Sequence, residues 1–224
     1  MCDKACIEFG AKNLEKQDIE GKSVIDVGAL DVNGSLRSIV ETLNPASYIG
    51  VDLQRGAGVD KICKAENLIS EFGYDRFDLL ISCELLEHVR NWRKVIHNIK
   101  CVLKPGGIIL ITTRSKGFGY HGAPFDFWRY EVSDMKDIFS DFDIETIEKD
   151  YLYPGVFIKA RKPRIFVENN LKRHRLYSIT LKRHSSIIEA TCYDYMVRSR
   201  FFLKRTLPGL LKSFIKKFSK ISTK

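Results

Sequence analysis

The sequence has 224 residues and lacks a long hydrophobic run. A membrane-spanning helix needs about 20 consecutive apolar residues. The longest apolar runs here, around Ile108–Ile111 and Ile187–Ile188, are far shorter. The first residues are charged and contain no apolar stretch of the kind that forms a secretory signal. We therefore expect a cytoplasmic protein without a transmembrane segment.

The sequence also lacks any pair of cysteines in a C-x-x-C pattern, although it contains six cysteines. A structural zinc site usually needs about four ligands, and Cys2 and Cys6 have no second pair to complete one. A chain of this length does not need disulfides to stabilise it. We therefore predict reduced thiols and no metal site.

Acidic residues are scarce beyond Ala160, where three of them face 17 lysines and arginines. Residues 1–160 contain 25 acidic and 20 basic residues, so the two parts of the chain differ in the sign of their charge. We predict a mildly acidic domain over 1–160 and a basic, mostly helical extension over 161–224. Such an extension favours a polyanionic partner, either an anionic membrane surface or a nucleic acid.

Short β-branched runs alternate with segments of helical periodicity in residues 1–160. The predicted strands are 23–28, 47–53, 58–63, 76–83, 108–113, 142–150 and 155–160, and the predicted helices include 3–17, 34–43, 92–103 and 133–142. Strands separated by helices form βαβ units, which build a mostly parallel sheet. The last two strands have a short link and should form a hairpin. The predicted fold is α/β: a doubly wound, mostly parallel seven-stranded sheet with an antiparallel terminal strand.

Doubly wound sheets bind ligands at the carboxyl ends of their strands. Asp26 and Gly28 lie at the end of the first strand, and Asp52 lies at the end of the second, where a carboxylate can accept both hydroxyl groups of a ribose. Leu30 and Asn33 stand where a dinucleotide fingerprint requires glycine. The sequence therefore predicts a ligand that carries a ribose but places no phosphate at this turn.

Four segments together resemble the class I S-adenosylmethionine-dependent methyltransferases: VIDVG–NG at 24–34, YIGVD at 48–52, FDLLISCELLEHV at 77–89 and LKPGGIILITT at 103–113. A fifth segment, HGAPFDFWRYEVSDM at 121–135, resembles part of the methyltransferases associated with surface-glycan assembly. The resemblance implies methyl transfer with S-adenosyl-L-methionine as the cofactor. The cofactor-binding positions that it implies are Asp26, Gly28, Ala29, Asp52, Leu53, Ala65, Glu66, Cys83 and Glu84.

One position departs from the family pattern. An acidic residue before Ala65 often binds the adenine amino group in the family, and Lys64 stands there instead. A lysine cannot accept that hydrogen bond. Either Glu66 or a backbone carbonyl replaces the missing acceptor, or the affinity for the cofactor is reduced.

The loop after the fifth strand can cover the ligand pocket. It contains His121, whose unperturbed pKa lies near neutrality, and this residue is the first candidate for a catalytic base. Asp126 is the second candidate. Trp128 and Tyr130 either stack on the methyl acceptor or pack the loop on the sheet. Outside the loop, the Glu87-His88 pair could suggest a catalytic role. It is interpreted as structural instead, with His88 as a hydrogen-bonding residue beside a buried helical stripe.

The tail ends in a pattern typical of an interfacial helix, beginning at Pro208. One face carries Leu210, Leu211, Phe214, Ile215, Phe218 and Ile221, and the opposite side carries Lys212, Lys216, Lys217 and Lys220. Such a helix favours peripheral binding to an anionic membrane through residues 207–224. The alternative is a terminal helix docked on the domain with its lysines in water.

The preferred interpretation is an S-adenosylmethionine-dependent methyltransferase that acts on a glycan, lipid-linked or small-molecule acceptor, in the cytoplasm or at the inner membrane surface. A nucleic-acid methyltransferase is the first alternative. It is less favoured because the chain has no Asn-Pro-Pro-aromatic segment for base amines and no Pro-Cys nucleophile for pyrimidine carbons. A non-catalytic module that binds S-adenosylmethionine is the second alternative. The sequence does not identify the acceptor atom.

Overall fold

The computed structural model describes residues 2–122 and 125–188. Six α-helices lie in these residues: α1 (Lys4–Asn13), α2 (Lys16–Ile19), α3 (Arg37–Thr42), α4 (Leu68–Phe72), α5 (Trp92–Val102) and α6 (Val132–Ile138). Ten strands lie in the same residues: β1 (Ser23–Val27), β2 (Ser47–Asp52), β3 (Lys61–Ile62), β4 (Phe77–Cys83), β5 (Leu103–Arg114), β6 (Trp128–Arg129), β7 (Asp143–Lys149), β8 (Gly155–Arg161), β9 (Leu176–Ser178) and β10 (Arg183–Ser185). Short 3-10 turns at Ala65–Asn67 and Leu86–His88 follow β3 and β4.

Seven strands form one sheet in the order β3-β2-β1-β4-β5-β8-β7. β1 pairs in parallel with β2 and β4, and β4 pairs in parallel with β5. β8 runs antiparallel to both of its neighbours, β5 and β7. The prediction of a mostly parallel seven-stranded α/β sheet with an antiparallel terminal strand is confirmed. Strand order reverses between β1 and β4, so their carboxyl ends form the crevice where such sheets bind ligands.

The centre of the sheet is buried, as the β-branched runs predicted. Side chains with no exposed surface include Val24, Ile25, Leu79, Leu80, Ile109 and Leu110. Full burial of one such side chain contributes about 1.5–3 kcal/mol. On α1, the ring of Phe9 packs 5.2 Å from the ring of Phe157 on β8. The core therefore holds the strand ends and the N-terminal helix in fixed positions around the crevice.

Two boundaries differ from the predicted ones. The helix predicted over 3–17 is two helices, because α1 ends at Asn13 and Glu15 begins α2 in a reciprocal capping box with Asp18. Strand β5 already begins at Leu103, which pairs with Phe77 of β4. The Lys-Pro-Gly-Gly segment therefore belongs to the strand and does not break the chain before it.

A second, three-stranded antiparallel sheet was not predicted. Its order is β10-β9-β6, so it joins the loop after β5 to the basic stretch beyond residue 160. Within the described part of the predicted helical extension, residues 161–188, regular structure thus consists of strands. This second sheet fixes the position of Trp128 and Arg129, which lie next to the candidate catalytic residues.

The chain divides into two units, Met1–Ser186 and Ile187–Lys224. Only Ile187 and Ile188 of the second unit are described. The predicted helix from Pro208 lies outside the described residues, and so does the rest of the predicted helical extension beyond residue 188. Among the described residues, every helix is too short or too polar to cross a bilayer.

Candidate active site

The turn after β1 forms one wall of a narrow pocket at the carboxyl ends of β1 and β4. Gly28 has a φ of +87°, a conformation that residues with a side chain rarely adopt. A Cβ atom at Gly28 would lie 3.1 Å from the Cβ of Leu85, so glycine also lets the turn approach the segment after β4. The pocket is lined by Asp26, Gly28, Ala29, Cys83 and Cys2, among others. The structure therefore brings Asp26, Gly28, Ala29 and Cys83 together around one pocket.

Asp26 places a buried carboxylate in this pocket. Its side chain lies at the end of β1 in a residue that is 6% exposed, and the Tyr48 hydroxyl donates a hydrogen bond of 2.8 Å to Oδ2. Burial raises the pKa of Asp26 to about 6, against the lowering effects of that hydrogen bond and of the Arg37 charge. At neutral pH the group is charged, so the pocket favours a ligand with a positive charge.

We expect Asp26→Asn to stabilise the fold at about pH 7.5 but not near pH 4. Because the folded pKa lies above the ordinary value of 3.8, the wild type has its full stability at low pH and loses it as the pH rises through about 6. The amide does not titrate and still accepts the Tyr48 hydrogen bond. Urea unfolding should show a gain of about 1–3 kcal/mol, since one pKa unit corresponds to about 1.4 kcal/mol. An equal gain at both pH values would contradict the shifted titration.

Asp52 ends β2 with both carboxylate oxygens bonded to backbone N–H groups. Leu30 N donates to Oδ2 at 3.3 Å, and Gln54 N donates to Oδ1 at 3.1 Å. A carboxylate has about four lone-pair sites, so each oxygen can accept one further hydrogen bond. The side chain is half-buried and joins the β1 turn to the end of β2. This geometry suits two ribose hydroxyl groups.

We expect Asp52→Ala to raise the dissociation constant for the predicted cofactor roughly tenfold or more. The change removes up to two charge-assisted hydrogen bonds, each contributing about 1.5–3 kcal/mol at most. Asp52→Asn should be milder, because the amide keeps one acceptor oxygen. Calorimetry measures both constants, and thermal melts confirm that the variants fold. An unchanged constant in a folded Asp52→Ala chain would show that the ribose lies elsewhere.

Three further predicted cofactor-binding residues, Leu53, Ala65 and Glu66, lie between the end of β2 and the turn after β3. Leu53 is 54% exposed, directly beyond Asp52. Ala65 is buried, and its carbonyl accepts a hydrogen bond of 2.9 Å from Asn98 Nδ2. Glu66 is half-buried and Lys64 is exposed. Glu66 is therefore the side chain beside Ala65 that can accept a hydrogen bond from an adenine amino group.

Glu84 lies in a buried ion-pair cluster behind the pocket. It has a φ of +55°, and its carboxylate pairs with Arg114 Nε and accepts a hydrogen bond of 3.7 Å from Cys6 Sγ. Arg114 also donates to Asp150 Oδ2 at 2.9 Å and to Asp3 Oδ2 at 2.8 Å. These contacts anchor the N-terminal segment beside the pocket. The role of Glu84 in binding the cofactor stays a prediction.

Asp126 is fully buried and bound by Arg129 through two hydrogen bonds, Nη1 to Oδ1 at 2.6 Å and Nη2 to Oδ2 at 2.8 Å. The backbone N–H of His121 donates to the same Oδ2 at 2.9 Å. Burial would raise the pKa of Asp126, but Arg129 and His121 outweigh burial and hold the pKa well below its usual range. A carboxylate bonded in this way is a poor proton acceptor. The contacts favour Asp126 as a positioning group for His121.

His121 lies between two carboxylates. Its Nδ1 is 2.9 Å from Asp126 Oδ2, without the alignment of a hydrogen bond, and its Nε2 is 3.6 Å from Glu87 Oε1. Burial alone would lower the pKa of His121, but the two carboxylates raise it to about 9. The imidazole is therefore charged at neutral pH in this state. A role as a base requires that its proton is displaced first.

Glu87 completes this cluster, although the sequence analysis interpreted the Glu87-His88 pair as structural. It has no exposed surface, and Thr113 Oγ1 donates to its Oε2 at 2.8 Å. Its Oε1 has no hydrogen-bond partner among the described residues and lies 3.8 Å from His88 Nε2. His88 Nδ1 contacts the Phe125 carbonyl oxygen, the kind of hydrogen bond expected of it. The only indication of this cluster in the local sequence was the Glu-His pair directly after a buried strand. The residues that Glu87 contacts, Thr113 and His121, are remote in sequence.

The aromatic residues of the loop pack into the protein. Trp128 and Tyr130 have no exposed surface. Trp128 Nε1 donates to the Val89 carbonyl at 3.0 Å, and the Tyr130 hydroxyl donates to the Leu86 carbonyl at 3.2 Å. The packing interpretation is therefore correct for both residues, and stacking on an acceptor is excluded by their burial in this state.

A wider pocket of about 710 Å³ opens beside the cluster. Its lining includes Lys116, Phe118, Tyr177 and Lys182. The ring centroid of Phe118 lies 4.9 Å from that of His121, so the pocket adjoins the candidate catalytic groups. The two lysines and the aromatic surfaces suit an acceptor that combines an anionic group with a ring or sugar.

Comparisons with known proteins decide the family. A family model described as a methyltransferase domain matches residues 3–150. The chain belongs to this methyltransferase family. A ubiquinone biosynthesis O-methyltransferase of Coxiella burnetii (strain Dugway 5J108-111) is 29% identical over 121 residues, 48% of this chain and 50% of that one. A phthiotriol/phenolphthiotriol dimycocerosates methyltransferase of Mycobacterium tuberculosis (strain ATCC 25177 / H37Ra) is 30% identical over 119 residues, 47% of this chain and 42% of that one.

The chain of this methyltransferase thus spans about half the length of the curated relatives it matches. Its fold is shared with the 1,6-didemethyltoxoflavin-N1-methyltransferase of Burkholderia thailandensis, solved with S-adenosylhomocysteine bound. That likeness has a TM-score of 0.56 at 16% identity and covers 72% of this chain and 80% of the other.

The described residues fit S-adenosylmethionine. Asp52 keeps lone pairs for the ribose hydroxyls, and Gly28 lets the backbone turn close to the ligand. Asp26 provides negative charge in a pocket that would suit the cationic end of the cofactor. The adenine edge would follow Leu53, Ala65 and Glu66.

Proposed function

We propose that this methyltransferase transfers the methyl group to a hydroxyl oxygen of a glycan, lipid-linked or small-molecule acceptor. The observation that carries the proposal is Glu87 Oε1, a fully buried carboxylate oxygen just beyond β4 with no hydrogen-bond partner in the described residues. An unbonded buried polar atom costs about 1–3 kcal/mol. A hydroxyl group that donates to Glu87 Oε1 removes this cost on binding, so the site favours a hydroxyl acceptor.

The chain's own residues orient the acceptor and receive its proton. S-adenosylmethionine supplies an electrophilic methyl group, whose bond to sulfur breaks as a bond to the acceptor oxygen forms. Burial would raise the pKa of Glu87, but His121 and His88 outweigh burial and lower the pKa to about 2. An alcohol oxygen becomes far more acidic than this as the bond to the methyl carbon forms, so its proton still passes to Glu87 Oε1. Thr113 fixes the other oxygen of Glu87, while Asp126 holds His121 beside it. Positioning of this kind supplies much of the acceleration in a one-step transfer.

The names of the two curated relatives support an oxygen acceptor on a lipid-like molecule. One is an O-methyltransferase of ubiquinone biosynthesis, and the other is a methyltransferase of phthiotriol and phenolphthiotriol dimycocerosates. The wide pocket adds a second argument, because Lys116 and Lys182 suit an anionic group such as a lipid-linked phosphate. Both observations favour a class of acceptor and leave the individual compound to experiment.

Release of S-adenosylhomocysteine tests the acceptor class. The full chain is assayed with panels of phenols, glycosides, polyprenyl-linked sugars and RNA. We expect turnover with at least one class of hydroxyl-bearing lipid, glycan or phenol and none with RNA. Turnover with RNA alone would favour the nucleic-acid alternative. Tight cofactor binding without turnover on any panel would favour the non-catalytic module.

We further propose that the basic tail holds the enzyme on an anionic membrane surface. The six apolar side chains of one face and the four lysines of the opposite side, all within residues 207–224, support this placement. Each lysine near an anionic leaflet contributes about 1 kcal/mol, and salt screens exposed charges beyond ~8 Å at physiological ionic strength. We expect salt-sensitive sedimentation with phosphatidylglycerol vesicles. Deletion of Leu207–Lys224 should abolish it, while S-adenosylmethionine binding persists.

A double variant separates membrane binding from simple charge attraction. Phe214→Ser with Phe218→Ser removes apolar area but keeps all four lysines. Loss of vesicle binding supports the interfacial helix, and retained vesicle binding contradicts it. Nucleic acid depends on charge, so RNA binding by the tail would survive the same change. Ser213→Ala on the same segment is the matched control and should leave vesicle binding unchanged.

A further inference from the structure

Three potential metal-ligand atoms lie close together beyond the carboxyl ends of β4 and β5. Glu87 Oε1 lies 3.8 Å from His88 Nε2 and 3.6 Å from His121 Nε2. The three residues offer ligand atoms that all lie within 4.8 Å of one another. Glu87 Oε1 is fully buried and has no hydrogen-bond partner in the described residues. A buried carboxylate oxygen that lacks a hydrogen bond and lies beside two imidazole nitrogens suits a bound metal cation, which would displace the proton that His121 otherwise carries.

Each of the three side chains also has a second contact, on the side away from the shared centre. Thr113 Oγ1 donates to Glu87 Oε2 at 2.8 Å, so Oε1 faces the cluster. His88 Nδ1 contacts the Phe125 carbonyl oxygen, and His121 Nδ1 lies 2.9 Å from Asp126 Oδ2. Metal-binding histidines commonly direct their second nitrogen to a carbonyl or a carboxylate, which leaves the first nitrogen free to ligate.

We propose that Glu87, His88 and His121 bind one divalent transition-metal ion, with Zn²⁺ as the ion that the donor set suits best. Two imidazoles and one carboxylate are a ligand set of catalytic zinc sites, in which one coordination position stays open. Zinc–nitrogen bonds of about 2.0–2.1 Å put tetrahedral ligands about 3.3 Å apart. The two separations from Glu87 Oε1, 3.6 and 3.8 Å, require a contraction of a few tenths of an ångström, and the two histidines lie within 4.8 Å of each other. The site goes against the sequence prediction of no metal.

The open position has a use in the reaction. An oxygen bound to Zn²⁺ loses its proton much more readily than a free hydroxyl or water. An acceptor hydroxyl placed there would become a better nucleophile. Its proton would pass to solvent, because Glu87 Oε1 would then ligate the ion and would no longer receive the proton as it does in the metal-free chain. This role rests on the proposed O-methylation, whereas the metal site itself rests on the geometry of Glu87, His88 and His121.

Metal titration of the full chain tests the site without cofactor, acceptor or turnover. We expect calorimetry to show one Zn²⁺ per chain, and Co²⁺ to give visible bands typical of nitrogen and oxygen ligands. Glu87→Gln and His121→Asn should each weaken binding by more than about 100-fold. Thr113→Val removes only the supporting hydrogen bond and should weaken binding by about 10–100-fold. Calorimetry with S-adenosylmethionine confirms that each variant is folded.

A second group of ligating residues provides the matched control. His97, Cys101 and Glu168 also lie within reach of one another, but His97 is exposed. A Co²⁺–thiolate charge-transfer band that disappears in Cys101→Ser while binding survives in Glu87→Gln would assign the ion to this group and overturn the proposal. Absence of stoichiometric binding would also overturn it. A chain that binds the ion through Glu87 but methylates no hydroxyl would keep the metal site and reject the O-methylation.

Discussion

Arg114→Met is expected to lower the free energy of unfolding by about 3 kcal/mol. Arg114 is 4% exposed and pairs with Glu84, Asp150 and Asp3. Methionine is apolar and of similar length, but it leaves these carboxylates without their positive partner. Burial already raises the pKa of Glu84, so this group can take up a proton and hold the loss near the lower end of the usual range of about 3–5 kcal/mol.

Arg161→Met is the matched control for this prediction. Arg161 also pairs with two carboxylates, those of Asp18 and Glu145, but its side chain is 39% exposed. Surface ion pairs contribute about 0–1 kcal/mol, so the control should change urea unfolding little. If Arg114→Met and Arg161→Met lower the free energy of unfolding by similar amounts, the buried cluster does not stabilise the fold more than a surface ion pair does.

His121→Ala is expected to lower kcat by roughly 100-fold or more and to leave the dissociation constant for S-adenosylmethionine unchanged. His121 lies beside Glu87 Oε1 and does not line the narrow cofactor pocket. Removal of its side chain therefore affects the transfer step and not cofactor binding. The result is measured as initial rates with a productive acceptor and as calorimetry of the cofactor.

His97→Ala serves as the control for His121→Ala. His97 is an exposed histidine on α5, paired with Glu168, and it contacts neither pocket lining. Its variant should retain the wild-type kcat. An unchanged kcat in His121→Ala would remove His121 from the reaction and leave Glu87 as the group that receives the proton.

The cofactor side of the site follows from the sequence because it is assembled locally. Asp26 and Asp52 lie at the ends of the neighbouring parallel strands β1 and β2, and Gly28 begins the turn that follows β1. Strand ends of a parallel sheet meet at one edge, so their positions could be predicted from hydrophobic runs and turn residues alone. The structure places Asp26, Gly28, Ala29 and Cys83 around one pocket and Asp52 next to it.

The acceptor side does not follow from the sequence, because tertiary packing assembles it. Glu87 accepts a hydrogen bond from Thr113 on β5. Asp126 accepts a hydrogen bond from the backbone of His121 and is itself bound by Arg129. Arg129 belongs to β6, whose pairing with β9 joins residues far apart in the chain. No periodicity predicts a two-residue strand of this kind, and His88 was therefore interpreted from its local sequence alone.

The chemical form of the methylated product tests the account most directly. The full wild-type chain and the Glu87→Gln variant are first shown to bind S-adenosylmethionine with the same affinity. Each is then incubated with a productive acceptor and S-adenosylmethionine that is labelled in its methyl group. We expect label in a base-stable methyl ether, with transfer by Glu87→Gln reduced roughly 100-fold or more. Label in a base-labile methyl ester or in an amine, or equal transfer by the two chains, would contradict it.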